Sequence, residues 1–169
     1  MPQSKCRECG GEVSDQARSC PHCGAPFPAN PVWSGSGFEY KSARTYLGYP
    51  LLHIAFGRDR YGKRRVAKGI VAIGQFAFGL VTVAQFGVGI IFGFGQFVLG
   101  ITVLAQFAVS FVAVGQFAGG YLVIGQMVLA YYGLAQVGFA HFLWSPKRHD
   151  PEAMKFFLSC WDYLKNLLK

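Results

Sequence analysis

The chain has 169 residues, of which 52% are apolar and 14% charged, with 22 glycines. Globular chains carry about 25% charge, so the composition excludes a disordered charged tail protein and argues against a conventional soluble enzyme. The net charge is +8, and its placement is uneven: no Lys, Arg, Asp or Glu occurs from Gly69 to Pro146.

Residues 1–27 read as a zinc ribbon. The first 30 residues are polar and cysteine-rich, with no apolar leader, so this end is expected in a reducing compartment. Cys6 and Cys9 form one C-x2-C pair, and Cys20 and Cys23 form another after ten intervening residues. Each pair makes a knuckle whose sulfurs point at one ion, and the glycine behind it permits the positive φ that the turn needs. Four thiolates give the closed tetrahedral set of a structural Zn2+ site, without an open position for catalysis. Iron in a rubredoxin-like site uses the same knuckles. His22 is surplus to four-thiolate coordination. The segment holds too few apolar residues to fold without metal, whose binding supplies about 10–16 kcal/mol in such sites. These residues resemble the short zinc-ribbon domains at the N-termini of many bacterial membrane-associated proteins.

Residues 28–37 are rich in Pro, Gly and Ser and read as a linker. Residues 38–68 read as a strand hairpin forming an N-terminal cap, with strand-like runs over Phe38–Tyr46 and Tyr49–Phe56. A turn over Gly57–Lys63 opens a basic cluster: Arg58, Arg60, Lys63, Arg64, Arg65 and Lys68. Positive charge directly before a long apolar run points to anionic membrane lipid. A solvated loop is the plain alternative. Nucleic acid is disfavoured, because no aromatic platform interleaves with the charges.

Residues 69–146 form a hydrophobic repeat. Gln75, Gln85, Gln96, Gln106, Gln116, Gln126 and Gln136 recur every ten residues, with one spacing of eleven, and Phe follows five of the seven. The finer period is five, opened by Gly, Ala or Ser. A helix turns 100° per residue, so a ten-residue period would spiral the glutamines around it. No polar loop divides the run into helical spans, and Gly, Val, Ile and Phe favour strands and turns. A mostly β fold is expected, a hydrophobic β-solenoid with the glutamines in a hydrogen-bonded structural ladder. With Phe and Val inside, facing sheets stand about 10 Å apart, too wide for corners of one residue. A frame of about 20 residues per coil, as in pentapeptide-repeat proteins, is therefore expected. Alternate glutamines would then lie on opposite faces, and the repeat would be about 17 Å long, short of the ~30 Å bilayer core. Ile70, Phe78, Leu80, Leu99, Phe111, Tyr121 and Tyr131 would face outward, needing cover from lipid, another copy or another segment. Over residues 45–140, the runs Gly48–Gly57 and Arg65–Gly74 resemble a family of uncharacterised bacterial proteins with hydrophobic Gly-rich repeats, often beside a zinc ribbon. The resemblance implies no known activity.

Residues 150–169 read as an amphipathic helix, with Asp150 as N-cap and Pro151 at its first position. Met154, Phe157, Leu158, Trp161, Leu164 and Leu168 share one side. The helix either caps the last coil or lies on a membrane surface. No constellation of acids, bases and nucleophiles supports catalysis. The expectation is a non-enzymatic scaffold, membrane-associated or self-assembling, with its ribbon facing the cytoplasm and available to a protein partner. A multi-spanning helical membrane protein with a cytosolic ribbon, a sensor or transport accessory, is the alternative.

Overall fold

The structure, a computed structural model, describes residues 2–167. Leu168 and Lys169, assigned above to the helix, lie outside the described residues. The fold is mostly β with one C-terminal helix. Strands β1 (Gln3–Lys5) and β2 (Glu12–Ser14) pair antiparallel within the cysteine segment. Its core is Cys6, Val13, Cys20 and Ala25.

Strand β3 (Gly35–Lys41) comes next, then the short β4 (Thr45–Tyr46) and β5 (Tyr49–Pro50). β4 and β5 flank a two-residue turn at Leu47 and Gly48, both with positive φ, as such hairpins require. β6 (Leu52–Asp59) pairs antiparallel with β3, matching Phe38 to Phe56. β3 begins within the segment read above as linker, and β6 runs on into the expected turn as far as Asp59. On its other edge β6 pairs in parallel with the start of β7, matching Leu52 to Val71.

β7 (Val66–Trp144) is 79 residues of continuous strand. Laid straight, it would run about 260 Å at 3.3 Å per residue. Instead, residues about ten apart lie side by side. Phe76, Phe86, Phe97, Phe107 and Phe117 stack in one column, with successive centroids 5.5, 5.1, 4.5 and 4.8 Å apart. Phe111, Tyr121, Tyr131 and His141 form a second column at 4.9, 5.1 and 5.0 Å. These separations are close to the spacing of neighbouring strands. The stacking partner is the next unit and not the next but one, so the expected twenty-residue frame is wrong.

The physical reason lies in what fills the interior. Phe86, Phe97, Phe107 and Phe117 point outward and are 41–44% exposed. The inward position, every fifth residue, is small: Ala72, Ala77, Thr82, Val98, Val103, Ala108, Ala113, Ala118, Val123 and Val128 are all buried. Within this run, nothing larger than valine is fully buried. Inward side chains this small fill much less than the ~10 Å that separates ordinary facing sheets. Small residues also occupy the position three before each inward one. There the chain passes against the residue ten before it: a Cβ on Gly125 would stand 2.3 Å from the Gly115 carbonyl oxygen. Two buried hydroxyls find partners nearby, Thr82 donating to the Val88 carbonyl at 3.0 Å and Ser110 to that of Val112 at 2.5 Å. The single spacing of eleven is absorbed around Phe92, whose carbonyl folds back over Gly89.

Helix α1 (Pro151–Leu167) begins where sequence places it, with Asp150 accepting from the Glu152 amide at 3.3 Å. Its first half packs on the end of β7 through buried Ala153 and Phe157, and Phe156 stacks on Tyr132 at 4.5 Å. Beyond Cys160, its described residues are exposed. Among the described residues no helix is long and apolar enough to cross a membrane, and the segment weighed above as helical spans is strand.

Candidate metal centre and apolar surface

The two cysteine knuckles are near copies of each other. The Gly10 amide donates to the Cys6 carbonyl and the Gly24 amide to that of Cys20, at 2.8 and 2.9 Å. The returning bonds run from the Cys6 amide to the Gly11 carbonyl and from the Cys20 amide to that of Ala25, at 2.8 and 2.9 Å. Gly10 and Gly24 hold φ of +72° and +75°, conformations that a side chain would strain.

Knuckle geometry gathers the sulfurs. Cys6 Sγ lies 3.7 Å from Cys23 Sγ, and Cys9 Sγ lies 3.7 Å from Cys20 Sγ. All four are within 4.8 Å of one another. A tetrahedron of thiolates with bonds of 2.3 Å has edges of about 3.8 Å, so the cluster is sized to hold a metal ion. The amides of Cys9, then Glu8, donate to the Cys6 sulfur and bring its pKa down to about 6. Cys23 accepts from the Ala25 amide, which favours thiolate. Burial, followed by the crowding of Cys9, Cys20 and Cys6, outweighs this and pushes Cys23 up to about 12. Such a set gives up its first proton easily and its last with difficulty, unless a cation replaces it. His22 packs over Gly11, where a Cβ would meet its ring at 2.7 Å.

The basic cluster divides in two. Arg60 pairs with Glu8 at 3.2 Å, and Arg7 donates to the Arg60 carbonyl at 2.6 Å, tying the ribbon to the basic turn. Arg60, then Arg7, holds the Glu8 carboxyl below its ordinary range. Arg65 pairs with Glu39, which also takes Lys41 at 2.8 Å and His53 at 3.3 Å. The Lys68 amide donates to His53 Nδ1 at 2.8 Å, which leaves the proton on Nε2, facing Glu39. Lys41 first, then His53 and Arg65, lowers the Glu39 pKa against the opposing effect of burial. Arg58 donates to the Gly62 carbonyl at 3.3 Å. Arg64 lies over Phe76, 5.4 Å from the ring centre, at the end of the phenylalanine column. Lys63 and Lys68 form no ion pair among the described residues. None of these ribbon-to-cap contacts was visible in the sequence. The one hint was that Glu8 and Glu39 are scarce acids in a basic half.

Three of the glutamines share a face. Gln106, Gln116 and Gln126, from consecutive units, line a single groove of about 560 Å³, where alternating faces were expected. Each sits immediately before a position of the phenylalanine column. Among the described residues no glutamine side chain donates to another. Two further grooves follow the phenylalanine column. One, of about 650 Å³, runs from Val66 past Phe86 and Phe97 to Val109, and the other, of about 480 Å³, continues from Phe107 to Phe139. Their walls are almost wholly apolar. Ile101, Val109, Phe111, Leu129 and Phe139 are each more than half exposed, so aliphatic and aromatic groups cover both outer faces.

In comparison with family models, curated proteins and solved structures, the chain matches none.

Proposed function

We propose that the chain is a non-enzymatic scaffold in which a structural zinc ribbon is fixed to the end of a membrane-associated or self-assembling β-solenoid of ten residues per turn. The observation that carries this reading is the exposed apolar surface on both faces of β7. Surface of this extent is not left to water in a stable monomer, and α1 covers only its last turns. The solenoid reading rests on the ring columns and on the carbonyl contacts at ten-residue spacing. Zinc is the preferred ion because four thiolates at tetrahedral spacing suit it. When bound, it supplies the cross-link that the ribbon's small core lacks, and the cysteines do nothing but hold it.

The ribbon then stands as a small polar module beside an apolar body, available to a protein partner. Residues 1–68 carry 11 of the 16 basic groups and 5 of the 8 acids, a net +6 of the total +8. That excess favours the cytoplasmic side, where anionic headgroups attract it. Density-gradient flotation with phosphatidylglycerol-containing vesicles tests the reading. The protein is expected to float with lipid or, without lipid or detergent, to sediment as a large assembly. A monomer that stays soluble under both conditions overturns it.

A further inference from the structure

We infer that the repeat crosses a lipid bilayer upright, with the stacking direction of its turns along the membrane normal. The inference deepens the membrane reading above and rests on it.

Length is the first argument. Residues 69–144 make about seven and a half turns, and at about 4.8 Å per turn they stack to about 36 Å. The hydrocarbon core is about 30 Å thick. The uncharged segment, Gly69 to Pro146, therefore matches the span with a margin at each end. The expectation that one copy is too short came from the twenty-residue frame, and it falls with that frame.

Hydrogen bonding is the second. Only structures that satisfy their own backbone survive in hydrocarbon, which ordinarily means helices and closed barrels. Stacked turns meet the same condition, because each turn bonds to the turns above and below. Open edges remain only at the two ends. Here the first end is covered by β3 on β6. The last is covered by the turn that returns His149 to Trp144 and brings the Asp150 amide to the Leu143 carbonyl at 3.1 Å.

The ends are the third. Tyr40, Tyr46, Tyr49 and Tyr61 are exposed at the N-terminal end, beside the basic cluster, and Trp161 and Tyr163 at the C-terminal end. Aromatic and basic groups flanking an apolar band are the signature of two membrane–water interfaces. Lying flat, the rod would keep one apolar face in water, since neither face is polar. The grooves beside the phenylalanine column run along the stacking direction, parallel to acyl chains when the rod is upright. The main polar line is the glutamine column, with Tyr121, Tyr131 and His141 adding polar groups toward the last end. In hydrocarbon its amides must pair along the column or with a second copy.

Polarised infrared spectroscopy of the full chain in oriented phosphatidylcholine–phosphatidylglycerol bilayers reads the orientation directly. Upright turns put their carbonyls along the normal, so the strand amide I band is expected to absorb along the normal. Absorption in the membrane plane, from protein that floats with lipid, overturns spanning while leaving membrane association intact. Failure to float overturns both. Sidedness gives a second readout. An impermeant maleimide applied to intact spheroplasts is expected to label Cys160 but not Ser36→Cys, and both after lysis. Equal labelling of the two sites in intact spheroplasts overturns the inference.

Discussion

Cys20 and Glu39 show how differently single residues can be read from a sequence. The thiol cluster was legible because its spacing is local: two residues between ligands dictate a knuckle, whatever the rest of the chain does. The four sulfurs, all within 4.8 Å of one another, bear that out. Cys20→Ser removes a buried ligand from a segment whose core otherwise contains Val13 and Ala25. Elemental analysis should show loss of bound metal, and limited proteolysis should cut within residues 3–27 while the repeat stays resistant. Chelation of the parent protein should do the same. Glu39 was not legible, because its partners lie far along the chain: His53 in β6, 14 residues away, and Arg65 just before β7, 26 residues away. Its pKa is lowered in the folded state, so it contributes stability above the ordinary glutamate value. That contribution is lost as pH falls through the lowered value. Glu39→Gln should cost about 0.5–1 kcal/mol at neutral pH, as partly exposed ion pairs do. The difference from the parent should vanish below the folded-state pKa, measured as denaturant midpoints across an acid series.

At the scale of the element, the repeat's period was readable and its phase was not. Small residues every five positions mark where the chain passes against residues about ten before, and the sequence pattern alone reveals them. Which large residues point inward depends on what surrounds the fold. In the pentapeptide-repeat frame Phe97 and Phe107 belong inside, which needs facing sheets about 10 Å apart and hence twenty residues per coil. Here Ala and Val are inside, while the rings stack outside at 4.5 Å. Neighbouring glycines test the tight passage. A Cβ on Gly120 would lie 1.7 Å from the Ser110 carbonyl oxygen, which is backbone and cannot move alone. On Gly119 the nearest atom is 3.8 Å away. Gly120→Ala should therefore cost about 3 kcal/mol or more, or abolish the strand signal in circular dichroism. Gly119→Ala should stay within about 0.5 kcal/mol of the parent. Equal effects would mean that turns do not pass each other at Gly120.

For the whole molecule, the decisive question is whether cost depends on depth. Ile70, Ile90 and Ile101 each follow a glycine at equivalent positions of their units, and Gly79 and Gly100 abut the carbonyls of Gly69 and Gly89. Ile90 and Ile101 are thus neighbours, and Ile70 holds the equivalent position two units earlier. Ile70 is beside the basic end and Ile101 near the middle of the stack. In a bilayer, lysine costs about 2–4 kcal/mol at the midplane and about 0–1 kcal/mol near an interface. Ile101→Lys should therefore depress membrane yield and thermal stability in detergent-free vesicles far more than Ile70→Lys, with Ile90→Lys between them. Side-by-side packing of copies in water predicts a different pattern, because an interface along the rod excludes charge to a similar degree at every level. A steep gradient with position selects lipid, and a flat penalty selects self-assembly. The chain's own charges already follow the steep pattern: none between Gly69 and Pro146, and basic residues crowded immediately beyond both limits at Lys68 and Lys147.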